Sequence, residues 1–142
     1  MISLSLAKQL KAAGLVWKTS VNDFFGIPDR GFDNHIFVLS DLQANMDLFR
    51  GWPVVTFHGT AEWAMDYILT SETVWMPTEE QLRETIAEML LGEEEINLQL
   101  NYTTQGYQCR TTYQGESLTF TAIDASEAYG LALLHLLLKI DT

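Results

Sequence analysis

Over residues 95–102 the chain alternates: Ile96, Leu98, Leu100 and Tyr102 fall on one side, and Asn97, Gln99 and Asn101 on the other. That period of two is the mark of a strand with one buried face. The same alternation places Tyr107, Cys109, Thr111 and Tyr113 on one face of a second run, and Leu118, Phe120 and Ala122 on one face of a third. Gly106 and Gly115 separate the runs, where tight turns call for a residue that accepts positive φ. The pattern predicts an antiparallel meander, wetted on one side.

At Asp124 the period changes to that of a helix. Asp124 and Glu127 have the spacing of a reciprocal capping box, an effect of about 1 kcal/mol. At about 100° per residue, Ala125, Tyr129, Ala132, Leu133, Leu136 and Ile140 form a stripe expected to pack on the sheet. Leu131, Leu134 and Leu138 form a second stripe on nearly the opposite side. A one-sided surface helix would not carry it, so the pattern calls for cover, either from another element of the same chain, such as the Leu6/Leu10 segment, or from a second subunit.

That N-terminal segment reads as an amphipathic helix. Ser3 precedes Leu4, Leu6, Ala7, Leu10 and Ala13, interleaved with Lys8, Gln9 and Lys11, and Gly14 follows as a C-cap; it is too polar for a signal peptide. Short apolar runs at 15–17 and 24–27 precede a turn cluster of Pro28, Gly31, Asp33 and Asn34. Residues 36–39 and 54–57 read as buried strands, the second introduced by Gly51-Trp52-Pro53. Gly59-Thr60 then opens a predicted helix with Ala61, Ala64, Met65 and Ile68 on one face and Trp63 and Tyr67 paired beside it. A short strand at 73–76 precedes a helix whose capping box is Thr78 with Gln81, whose inner side is Leu82, Ile86, Met89 and Leu90, and which Gly92 ends. The expected fold is α+β: a single domain over residues 1–142, with a mostly antiparallel sheet, a C-terminal helix packed on one face, and further helices at the N-terminus and mid-chain.

Composition narrows the function classes. With 142 residues, 47% hydrophobic content and a mean hydropathy of +0.02, the chain has apolar material for an ordinary core. A net charge of −11 with 8 basic residues argues against a nucleic-acid partner, which needs clustered Lys and Arg. The longest apolar stretch, 130–138, is interrupted by His135 and is far short of the ~20 residues of a membrane span. Cys109 is the sole cysteine, so no intrachain disulfide forms, and its place on the apolar strand face marks it as a small core residue in a reducing compartment. A cytoplasmic location is expected.

Candidate chemistry is sparse. His35, His58 and His135 are not at ligand spacing from one another, so no metal site is expected. Asp29, Asp33 and Asp41 miss the calcium-loop spacing. No phosphate loop, nucleophile elbow, paired-cysteine motif or dinucleotide fingerprint occurs, and no cofactor is expected. His58 meets the Gly59-Thr60 helix start, whose free amides favour anions, and Trp52 and Trp63 stand close enough in sequence to wall a pocket. Glu62 and Asp66 already bring negative charge to that helix end. Of the four tryptophans, Trp52 is the one expected at the surface. Glu80, Glu84 and Glu88, followed by Glu93, Glu94 and Glu95, read as a solvated helix face or as an acidic docking strip for a basic partner.

Trp17-Lys18, Ile27-Pro28-Asp29-Arg30, the run from His35 to Asp41, Gly59 to Ala64, Trp75-Met76-Pro77 and Glu127 to Leu134 occur in an order that resembles a family of short bacterial proteins, many labelled "pilus assembly protein". The resemblance runs nearly end to end and implies no catalytic residues. The chain has no Gly-Lys pair, so the nucleotide hydrolysis of a pilus-assembly ATPase is not expected. The reading that emerges is a non-catalytic cytoplasmic interaction or assembly module, with a protein partner or self-association, as a homodimer through Leu131, Leu134 and Leu138. Its alternatives are a small-ligand or anion site built from Trp52, His58, Gly59, Thr60 and Trp63, and an acidic docking surface.

Overall fold

A computed structural model describes residues 1–32, 35–39, 44–57 and 67–140. In chain order its elements are α1 (Leu4–Ala12), β1 (Phe24–Gly26), β2 (Phe37–Val38), β3 (Ala44–Phe49), β4 (Trp52–Phe57), β5 (Tyr67–Leu69), a 3-10 turn (Thr70–Glu72), β6 (Val74–Trp75), α2 (Glu79–Met89), β7 (Leu98–Thr103), β8 (Gly106–Tyr113), β9 (Glu116–Ala122) and α3 (Ala125–Ile140). The expected α+β class holds, with the strands distributed over three small antiparallel sheets ordered β2-β1-β6, β3-β4-β5 and β7-β8-β9. The chain divides into two compact units, Met1–Leu15 with Pro77–Thr142, and Val16–Met76.

In the first unit α1 starts at Ser3, whose hydroxyl accepts from the Leu6 amide at 3.1 Å. It stops in a Schellman motif: the Leu15 amide returns to the Leu10 carbonyl, the Gly14 amide to that of Lys11, and Gly14 has φ +107°, where a side chain would be strained. The expected meander is present with unbroken register. Leu100 pairs with Cys109 and Cys109 with Phe120, so Leu98, Leu100, Cys109, Thr111, Leu118 and Phe120 share the face against which α3 packs. The opposite face carries Gln99, Asn101, Arg110, Ser117, Thr119 and Thr121, all exposed. Buried Thr111 donates its hydroxyl to the Asn97 carbonyl at 2.8 Å, which removes the cost of an unpaired polar group.

Gln114 (φ +52°) and Gly115 (φ +79°) both take left-handed backbone between β8 and β9. This two-residue loop has the handedness that matches strand twist. Thr78 and Gln81 form the predicted capping box of α2, which buries Leu82, Ile86 and Leu90 fully. The helix ends at Met89 with Leu90 as C-cap, short of Gly92.

In the second unit β3 and β4 are joined by Arg50 (φ +52°) and Gly51 (φ +82°), the same kind of turn. Its core is Phe25, Ile27, Leu39, Val55 and Ile68, with Trp17, Phe32 and Phe37 packed against it. The Phe25 ring lies 5.5 Å from Trp17 and 5.6 Å from Phe37. Arg30 pairs with Glu72.

Several local expectations need correction. Tyr67 and Ile68 belong to strand β5 and not to a helix: Ile68 is β-branched, fully buried and paired with Val55, so sheet pairing outweighs the helical spacing. Ile96 precedes β7 and is exposed, as is Tyr102 at the strand's far end, because the apolar face is covered only part of the way along. Ile140, at the free end of α3, is exposed. Asp33, Asn34, Asp41 and the predicted helix start at 58–66 lie outside the described residues.

Candidate interaction surface

From Ala128 to Leu138 the chain carries no charged residue, and this stretch is the body of α3. Asp124 caps the helix, its Oδ1 accepting from the Glu127 amide at 2.8 Å. At the other end Lys139 reaches Glu116 on β9 at 2.5 Å, which holds that carboxyl below its usual range. The expected inner stripe is buried at Ala125, Tyr129, Ala132, Leu133 and Leu136.

Burial extends further around the helix, to Ser126, Ala128 and Gly130. α1 covers this flank. A Cβ on Gly130 would stand 2.6 Å from Cδ2 of Leu6, so any side chain there would have to displace the Leu6 methyl that packs on this flank. α2 packs against α3 as well. Tyr129 is buried in this packing and its hydroxyl pKa is raised, burial being the largest cause.

The second stripe is treated differently. Leu131 and Leu134 are half-buried, and Leu138 remains 52% exposed. α1 takes the flank at Gly130 and leaves the outward ridge in part to water. A ridge of leucines along the uncharged stretch from Ala128 to Leu138 departs from the ordinary one-sided amphipathic pattern.

His135 stands at the edge of this ridge with its ring 5.5 Å from that of Phe120. Its Nε2 is enclosed, with no hydrogen-bond partner among the described residues. Cys109 is fully buried and has its thiol pushed up to about 11 by burial. It is a core residue, as expected, and no nucleophile at neutral pH.

Of the pocket residues read from the sequence, Trp52 alone is described; His58, Gly59, Thr60 and Trp63 lie outside the described residues. Trp52 is 66% exposed, as its turn suggested. It pairs across the hairpin with Phe49, over whose ring the Arg50 guanidinium sits at 5.3 Å from the centroid. Trp17 and Trp75 are half-buried. His35 is an exposed turn residue, its amide bonded to the Phe32 carbonyl at 2.9 Å.

No protein-family model, curated protein or solved structure matches this chain. Among the described residues no three His, Cys, Asp or Glu side chains converge on a metal-sized site, and no helix is long and apolar enough to cross a membrane.

Sequence reasoning missed two features. Asp23 is 4% exposed and accepts hydrogen bonds from Trp17 Nε1 at 2.8 Å and from the Ser20 amide at 2.9 Å. It closes the loop before β1, so its burial is structural. The other is an open concavity of about 740 Å³ beside the β7–β8 turn, lined by Tyr102, Thr103, Thr104, Gln105, Gly106 and Ile123. The alternation that assigned Tyr102 to a buried face hid it. Glu80, Glu84 and Glu88 are all exposed along α2, a solvated arrangement that contains no convergent site.

Proposed function

We propose that this protein is a non-catalytic cytoplasmic interaction or assembly module that docks a protein partner on α3, along Leu131, Leu134 and Leu138. The supporting observation is the outward ridge: a helix without charge over Ala128 to Leu138 that leaves Leu138 half in water. A helix apolar on all sides is normally buried on all sides. A partner offering an apolar helix or groove would complete that burial, at about 25 cal/mol per Å² of apolar surface removed from water.

The test compares partners co-purified from the native cell with the wild-type chain, with Leu138→Glu and with Leu138→Met. A partner retained by the wild type and Leu138→Met but lost from Leu138→Glu supports the reading. Identical partners for all three contradict it. Leu138 is exposed enough for both substitutions to leave the fold intact.

A further inference from the structure

We infer that β7 is a self-pairing edge, on which two copies of this chain add their sheets together as an antiparallel, two-fold β7–β7 pair. The inference rests on different residues from the α3 docking surface and does not depend on it.

Edge strands present a row of unpaired backbone donors and acceptors, and proteins ordinarily blunt them by shortness, charge, proline or a bulge. The other edges here show such devices. β2 and β6 are two residues long, β5 is three, and β3 contains Asp47. β9 begins at Glu116, tied to Lys139, and packs against α3. β7 has none of these features. It is six residues long, pairs with β8 at every position from Leu98 to Thr103, and among the described strands has no neighbour on its other side. Residues 96–109 contain neither a charge nor a proline.

The occupant follows from the pattern of the strand. About Leu100 the sequence Leu98-Gln99-Leu100-Asn101-Tyr102 reads apolar, amide, apolar, amide, apolar in either direction. A two-fold axis at Leu100 therefore sets Leu98 opposite Tyr102 of the partner subunit on the helix-side face. On the wet face it sets Gln99 opposite Asn101 of the partner subunit. Tyr102, 77% exposed in the single chain, would gain an apolar cross-strand neighbour, and the two amides would pair on the outer surface. This is the self-complementarity that an isologous interface requires. In a chain of net charge −11, this uncharged strand brings no like charges opposite one another across the axis.

Analytical ultracentrifugation of the full chain at micromolar concentration tests the pairing. The wild type is expected at twice the 16.1 kDa chain mass. Gln99→Lys with Asn101→Lys places like charges across the axis and is expected to give monomers, although it makes the chain less negative overall. Gln99→Lys with Asn101→Glu places opposite charges across the same axis and is expected to restore the dimer. Both positions are exposed, and a single cooperative thermal transition with unchanged secondary-structure content in each of the three proteins confirms that it is folded, although the dimers are expected to melt at a higher temperature. A wild type that remains at 16.1 kDa, a dimer that survives the double lysine variant, or a Lys/Glu variant that fails to dimerise overturns the inference. A dimer lost only in Leu138→Glu likewise overturns it, while leaving the α3 docking surface standing.

Discussion

Glu127, in the first turn of α3, accepts hydrogen bonds from the Ser3 backbone amide at 3.1 Å and from the Ser3 hydroxyl at 3.2 Å. Ser3 is the N-cap of α1. In a capping box the carboxylate that returns to the N-cap amide comes from the same helix, three residues on. Here Leu6 occupies that place and Glu127 supplies the carboxylate from another helix, so one side chain both caps α1 and fastens it to α3. The sequence spacing had assigned Glu127 to a reciprocal cap with Asp124, of which only the Asp124 half forms.

Ser3→Ala and Glu127→Ala should each destabilise the protein by about 1 kcal/mol, the ordinary size of a cap. Both variants remove the bond between the Ser3 hydroxyl and the Glu127 carboxylate, so the double variant should cost less than the sum by the worth of that one bond. A double-mutant cycle in urea checks this, and additive losses would show that the two residues act separately.

His135→Phe should stabilise the protein by about 1 kcal/mol or leave it unchanged. The enclosed Nε2 has no partner among the described residues, and an unsatisfied buried polar group costs about 1–3 kcal/mol. Phenylalanine keeps a flat ring against Phe120 without that nitrogen. A thermal shift downward would mean that the nitrogen is bonded in solution.

Gly106 and Gly115 separate two glycine effects. Gly115 has φ +79° and open space around a would-be Cβ, whereas at Gly106, φ +111°, that atom would lie 2.5 Å from the Ala122 carbonyl oxygen. Gly115→Ala should cost about 1–2 kcal/mol, the backbone term alone. Gly106→Ala should cost more, because the clash is with the backbone that pairs β8 to β9. Equal losses by chemical denaturation would refute the contact.

Cys109 should react with a disulfide reagent only when the protein is unfolded. Its folded pKa is raised from 9.0 to about 11, so the neutral thiol is favoured in the folded state. The corresponding stability is fully present below pH 9 and is lost as the pH rises toward 11. Cys109→Ala should remove that part of the alkaline fall in stability, as measured by urea unfolding at pH 8 and pH 10.

The strands and caps of the first unit were legible because local chemistry decides them. The alternation from Leu98 to Ala122 became the sheet, and Thr78 with Gln81 became a cap. Helix and strand were confused at Tyr67 and Ile68, where the deciding partner, β4, lies more than ten residues away in sequence. The role of Glu127 was hidden for the same reason on a larger scale: its partner is 124 residues distant. Asp23 gave no signal, since a buried carboxylate is recognisable only when Trp17 and the Ser20 amide are seen around it. The leucine ridge was legible as a pattern, but the pattern could not say that α1 would cover the flank at Gly130 and leave Leu138 outside.

The claim on which the functional account turns is that Leu138 belongs to a docking surface. The most direct measurement is quantitative mass spectrometry of proteins co-purified from the native cell with the wild-type chain, Leu138→Met and Leu138→Glu. The account predicts a partner bound by the first two and lost from the third, with unchanged thermal stability. Indistinguishable sets of bound proteins across the three would contradict it.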